Sequence, residues 1–115
     1  MKLRSALIAL TAAGILALAS TAFAQDAALV AKGKQVYADQ KCSICHSIAG
    51  VGNTKGPLDD VGSRLKAEDI RAWIVTPKEM TQKTKAPRKP EMKAYPALPK
   101  ADLDAVVAYM LSLKK

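Results

Sequence analysis

The sequence holds one histidine, two cysteines, one tryptophan, one phenylalanine and three tyrosines. Each scarcity closes off a class of protein. Cys42, Cys45 and His46 are the whole Cys/His set, so a four-ligand structural zinc site would need a carboxylate to complete it. A single histidine excludes a pair of histidines from this chain on one metal and leaves no second imidazole for acid–base catalysis beside it. No segment alternates with period two, so no strand is expected. No internal repeat or long linker divides the 115 residues, a length for one domain. The apolar run from Ala6 to Ala19 falls short of the roughly 20 residues that cross a bilayer, and Thr11 and Gly14 dilute it.

That run has another reading. Lys2 and Arg4 precede it, and Ala22-Phe23-Ala24 closes it with small residues around one large one. These are the parts of a secretory leader, so residues 1–24 are expected to be a signal peptide cut after Ala24. Residues 25–115 are then the folded domain, with a periplasmic location and no stable membrane insertion after cleavage. The formal net charge of +8 drops by two when Lys2 and Arg4 leave. Tyr37, Trp73, Tyr95 and Tyr109 are the aromatics that remain. A domain this small and this poor in bulky side chains commonly leans on a disulfide, a metal or a cofactor.

The patterning is all-α. Asp26 is a fitting N-cap for a first helix to about Gln40, with Leu29, Gly33, Val36 and Tyr37 on one face. Residues 47–63 read as loop. A second helix spans about Ala67 to Thr76, with Ile70, Trp73 and Ile74 on one face, Glu68 and Asp69 in its first turn, and Pro77 as its stop. Five prolines between Pro77 and Pro99 predict one extended, stiffened loop. A last helix runs from about Ala101 to Leu113, its apolar face formed by Leu103, Val106, Met110 and Leu113.

Cys42-Ser43-Ile44-Cys45-His46 carries the chemistry. Two cysteines three apart can each form a thioether to one vinyl group of a haem, and the adjacent histidine is then held beneath the iron. This Cys-x-x-Cys-His spacing is a haem-attachment signal. A redox dithiol would use Cys-x-x-Cys alone beside a strand–helix–strand pattern, which is missing. A disulfide between Cys42 and Cys45 suits export, but leaves His46 without a purpose.

Methionine is the natural second axial ligand, since a His/Met pair raises the reduction potential. Met110 lies on the apolar face of the last helix and reads as core. Met80, just past the second helix, and Met92, deep in the proline-stiffened loop, remain open on the residues alone.

With these residues in view, the chain resembles the class I monohaem cytochromes c of the small bacterial periplasmic type over nearly all of residues 26–113. Gly33, Tyr37 and Tyr109 match the crossing of the first and last helices, and Cys42, Cys45 and His46 match the attachment site. Gly56-Pro57-Leu58 with Val61, Gly62 and Arg64 resembles the segment that follows, and Ile70, Trp73 and Pro77 the helix before the methionine loop. Met92, Tyr95 and Pro96 match the ligand methionine and the lead into the last helix. The resemblance implies a cytochrome c-like fold, three main helices and loops around one covalent haem c. It implies His46 and Met92 as axial ligands, the Pro57 carbonyl as acceptor for His46, and propionate contacts from Arg64 and Trp73. Lys93 stands where the family often has proline, and Lys66 and Lys100 stand where helix starts often have Ser or Thr.

Lys78, Lys83, Lys85, Arg88, Lys89 and Lys93 crowd one stretch opposed by only Glu79 and Glu91. A positive rim there would steer the protein to redox partners with acidic docking surfaces. Nucleic acid is a poor partner, for want of a base-stacking platform or a binding motif. The expected function is a non-enzymatic electron carrier. The alternatives are an electron-accepting haem subunit of a larger oxidoreductase and an open-site haem protein that binds small ligands.

Overall fold

The computed structural model describes residues 12–115, with side-chain surroundings from Asp26 onward. The expected leader lies outside the described residues over 1–11, and its remaining side chains do too. α1 spans Ala12–Asp39. The helix therefore does not begin at Asp26, which sits inside it. Residues 12–25 are rich in alanine and leucine and contain no proline, so nothing in them breaks a helix. The expected cut after Ala24 falls within the backbone of α1.

Past Asp39 the chain turns sharply, with Lys41 at φ 56°, into a 3-10 turn at Cys42–Ile44. A small antiparallel hairpin follows, β1 (Ser47–Ile48) on β2 (Val51–Gly52), in the register Ser47↔Gly52 and Ile48↔Val51. The stretch expected to be plain loop thus holds two short strands. Both residues of the connection, Ala49 and Gly50, take positive φ, the backbone of a tight turn whose twist suits paired strands.

α2 is a single turn, Val61–Arg64, and α3 spans Ala67–Val75. Pro77 ends α3 and also opens α4, Pro77–Thr84, where an extended loop is expected from sequence. Proline is at home in the first turn of a helix, since its missing N–H would be unpaired there anyway. Glu79 in the first turn and Lys83 in the last suit the helix dipole. Thr84 Oγ1 donates to the Met80 carbonyl at 2.7 Å. The extended segment is therefore shorter, from Ala86 to Pro99, before α5 at Lys100–Ser112.

α5 is the centre of the packing. α1 crosses it, α3 and α2 lie against it, and Ala105, Val106, Val107, Tyr109 and Met110 are buried along it. Three neighbours bury more than one stripe, so Leu103 and Leu113 are only partly covered while Ala105 and Val107 are buried. Val36, Val61, Ile70 and Ile74 complete the core. Tyr37 and Tyr109 meet edge to face at the crossing, with ring centroids 5.9 Å apart. Asp104 of α5 accepts from Arg71 of α3 and from Lys100, and Asp102 pairs with Lys32 of α1. The two-residue strands aside, the described residues fold as all-α.

Candidate haem site

The site begins where α1 ends. The 3-10 turn closes with Cys45 N–H and His46 N–H both donating to the Cys42 carbonyl, at 3.1 and 2.9 Å. Cys42 is partly buried, Cys45 is exposed, and both are free thiols. Burial pushes the Cys42 thiol up, against a backbone hydrogen bond that favours the thiolate.

His46 Nδ1 lies 3.1 Å from the Gly56 carbonyl. A carbonyl can only accept, so Nδ1 carries the proton and the Nε2 lone pair is left for a metal. Burial holds the imidazole below its ordinary pKa. The bond to Gly56 opposes that shift, and the charge of Arg88 adds to it. The acceptor is one residue before the expected Pro57. The reason is the register of the neighbouring segment. Ser47 N–H donates to the Gly56 carbonyl at 3.1 Å and Leu58 N–H donates to the Ser47 carbonyl at 2.9 Å. This bridges Ser47 to Pro57 and aims the Gly56 oxygen at the ring of the preceding residue.

Asn53 is a site residue that the sequence reading missed. Its N–H donates to the carbonyls of Ser43 and His46, its Nδ2 donates to the Ile44 carbonyl at 3.1 Å, and its Oδ1 accepts from Lys55 N–H at 3.0 Å. One side chain thus ties the loop after the hairpin to the Cys-x-x-Cys-His turn. The signal for it was an asparagine in a glycine-flanked turn, which marks a local bend but not its distant partners.

An apolar cleft opens between α1, α3, α5 and the extended segment. Cys42 and Met92 line it together with Val36, Ile74, Leu98, Tyr95, Gln40 and Val106. Tyr95 is pinned there by its N–H, which donates to the Ile74 carbonyl at 2.9 Å. Met80 is not on this cleft; it is buried within α4. Arg64 is also elsewhere, since its Nε donates to Asp60 Oδ1 at 2.9 Å on the exposed side of α2. That pairing holds the Asp60 carboxyl below its ordinary range. Trp73 is partly buried on α3 and does not line the cleft. Arg64 and Trp73, expected as propionate contacts, are therefore not gathered with Cys42 and Met92.

The donor set fits a covalently held haem. Two unpaired thiols stand three residues apart, the imidazole next to them has Nδ1 engaged and Nε2 left to coordinate, and a thioether shares an apolar cleft with the first thiol. Among the described residues no three His, Cys, Asp or Glu side chains converge as a tetrahedral zinc site demands.

An all-α scaffold with a Cys-x-x-Cys-His turn whose first cysteine lines an apolar cleft defines a c-type haem protein. The family described as Cytochrome c matches residues 30–114, and the chain belongs to it. Members of this family carry covalently bound haem c and transfer electrons. The chain is also similar to cytochrome c oxidase subunit 2 of Alkalihalophilus pseudofirmus, 32% identical over 95 residues that cover 75% of this chain and 26% of that protein. It thus spans about a quarter of that relative's length. No solved structure matches the chain at a significant level. No helix among the described residues is long and apolar enough to cross a membrane.

Proposed function

We propose that this chain is an exported, periplasmic electron carrier that shuttles single electrons between redox proteins through one haem. Cys42 and Cys45 would hold it covalently, with His46 and Met92 as axial ligands. The carrying observation is that Cys42 and Met92 line one apolar cleft, while His46 beside the Cys-x-x-Cys turn has its Nδ1 held by the Gly56 carbonyl. When bound, haem supplies an iron that cycles between ferrous and ferric states. The chain's own residues orient that iron's ligands and keep water from the apolar wall, which limits rearrangement on electron transfer. The leader-like pattern of residues 1–24 supports export, and the cations between Lys78 and Lys93 support docking to acidic partners.

The test is the absorption spectrum of the protein matured in a periplasm, with M92A beside it. Covalent haem in both, and loss of the methionine-to-iron charge-transfer band in M92A alone, is the expected result. Absence of covalent haem would overturn the reading. Carbon monoxide binding to the reduced wild-type protein would favour the open-site alternative.

A second reading is favoured by the likeness to a subunit of cytochrome c oxidase: a haem module that accepts electrons within a larger oxidoreductase. Its native size in extracts of the source cells separates the two, since a free carrier migrates as a small protein and a module travels with its complex.

A further inference from the structure

Arg88 belongs to the cation-rich stretch, yet it does not behave like its neighbours. Lys89 pairs with Glu91 at 2.9 Å, Lys93 stands over the Tyr95 ring, and Lys78, Lys83 and Lys85 are exposed. Arg88 turns inward instead. Its Nη2 donates to the carbonyl of Cys45, 43 residues away in sequence. The slot for its guanidinium exists because residue 56 is glycine. A Cβ on Gly56 would come 2.0 Å from Arg88 Nη1 and 2.4 Å from the Cys45 oxygen. Gly56 thus has two uses: its carbonyl orients His46, and its bare α-carbon admits Arg88.

Arg88 precedes Met92 by four residues in a segment with no helix or strand. Ala86 is held by Thr81, and Tyr95 by Ile74. Among the described residues, the bond from Arg88 to Cys45 is the hydrogen bond that carries residues 87–94 to another part of the chain. Apart from the packing of Met92 against the core, backbone freedom in this stretch is restrained through that one bond.

We propose that Arg88 is a positioning residue that clips the Met92 segment to the Cys45–His46 segment and fixes a permanent positive charge beside the histidine side of the haem. The proposal rests on the axial roles given above to His46 and Met92. The clip lowers the entropy that Met92 loses when it reaches the iron, so methionine ligation persists against competing ligands. The charge disfavours the ferric over the ferrous state and so raises the reduction potential. Arginine suits both tasks, because its planar donor fork keeps its charge at every working pH.

The test uses the haem-loaded protein as wild type, R88A, R88K and K85A, the last removing a charge from the same stretch without the Cys45 contact. Two quantities are read: the pH at which the ferric protein loses its methionine-to-iron band, and the reduction potential. R88A is expected to lose the band at a pH about one unit lower than wild type, a roughly tenfold weakening that matches one lost charge-assisted hydrogen bond. It should also have a lower potential than K85A. R88K, which keeps charge and stem, should hold the potential near wild type while its band is lost at a lower pH; it decides the matter if R88A does not mature. If R88A, or R88K in its place, loses the band at the same pH as K85A, the proposal is overturned. M92A checks the axial reading separately. A band retained in M92A defeats that reading and this proposal together, whereas a band lost in M92A but unmoved in the Arg88 variants defeats the proposal alone.

Discussion

The α-carbon of Gly33 in α1 lies against the backbone of Ala105 in α5, so that a Cβ on Gly33 would come 2.0 Å from the Ala105 carbonyl oxygen. Beyond the Ala105 carbonyl, the Tyr109 Cβ would stand 2.7 Å away. Both are parts of the chain that cannot swing aside. Glycine costs helix stability at this position, and close packing of α1 on α5 offsets that cost.

G33A should therefore force the two helices apart. The expected loss is about 1–3 kcal/mol, the usual range for overpacking a well-filled core. Denaturant titration of the haem-loaded protein reads it as a lower midpoint. An unchanged midpoint would mean that the crossing is looser than the contact distances imply.

Met80 and Met92 should part company when each is replaced by alanine. Met80 is buried in α4 away from the cleft, so M80A should cost about 2–5 kcal/mol as a core truncation and leave the methionine-to-iron band intact. M92A should abolish the band. Unfolding curves and visible spectra of the two variants check this together, and loss of the band in M80A would reverse the assignment.

Asp104 joins α3 to α5 by accepting from Lys100 Nζ at 2.7 Å and Arg71 Nη2 at 2.8 Å. These bonds hold its carboxyl below the ordinary value of 3.8. A carboxylate depressed in the folded state stabilises the fold fully above the unfolded pKa, and that stabilisation disappears as pH falls through the lower native value. D104N should thus be less stable than wild type at neutral pH, and the gap should close below pH 3.8. Stability measured against pH for both proteins checks the sign; a gap that widens on acidification would contradict it.

Tyr37 titrates at the other extreme. Burial, before any neighbouring charge, pushes it from 10.0 up to about 12. A group raised in the folded state supports folding below its unfolded pKa and loses that support as pH rises through the native value. Ultraviolet difference titration should show one tyrosine ionising near pH 12, absent from Y37F. Y37F should also soften the alkaline loss of stability between about pH 10 and 12. Ionisation of all tyrosines near their ordinary value would show that the Tyr37–Tyr109 pair is open to water.

Legibility from sequence varied with the range of the interaction. The limits of α3 and α5 were readable to within a residue or so, because apolar spacing and terminal charges are local properties of those segments. The sequence predicts Pro77 as a stop; it is one, but it also starts α4, since proline excludes the interior of a helix and not its first turn. The hairpin at Ser47–Gly52 is too short for any periodicity to register. Asp26 failed as a helix start because the helix-forming residues before it outweigh a capping preference.

The covalent chemistry belongs to the sequence by itself. Cys42, Cys45 and His46 are close in the chain, so their spacing alone places two thiols and an imidazole in one turn, and this chain offers no second histidine. The tertiary structure decided everything that depends on residues far apart. It put Met92 rather than Met80 on the cleft with Cys42, gave His46 the carbonyl of Gly56 rather than that of Pro57, paired Arg64 with Asp60, and brought Arg88 to Cys45. Partners such as these are chosen by the register of the turns between them. A shift of one residue in that register changes which carbonyl faces a ring, while the residue pattern of the sequence stays the same.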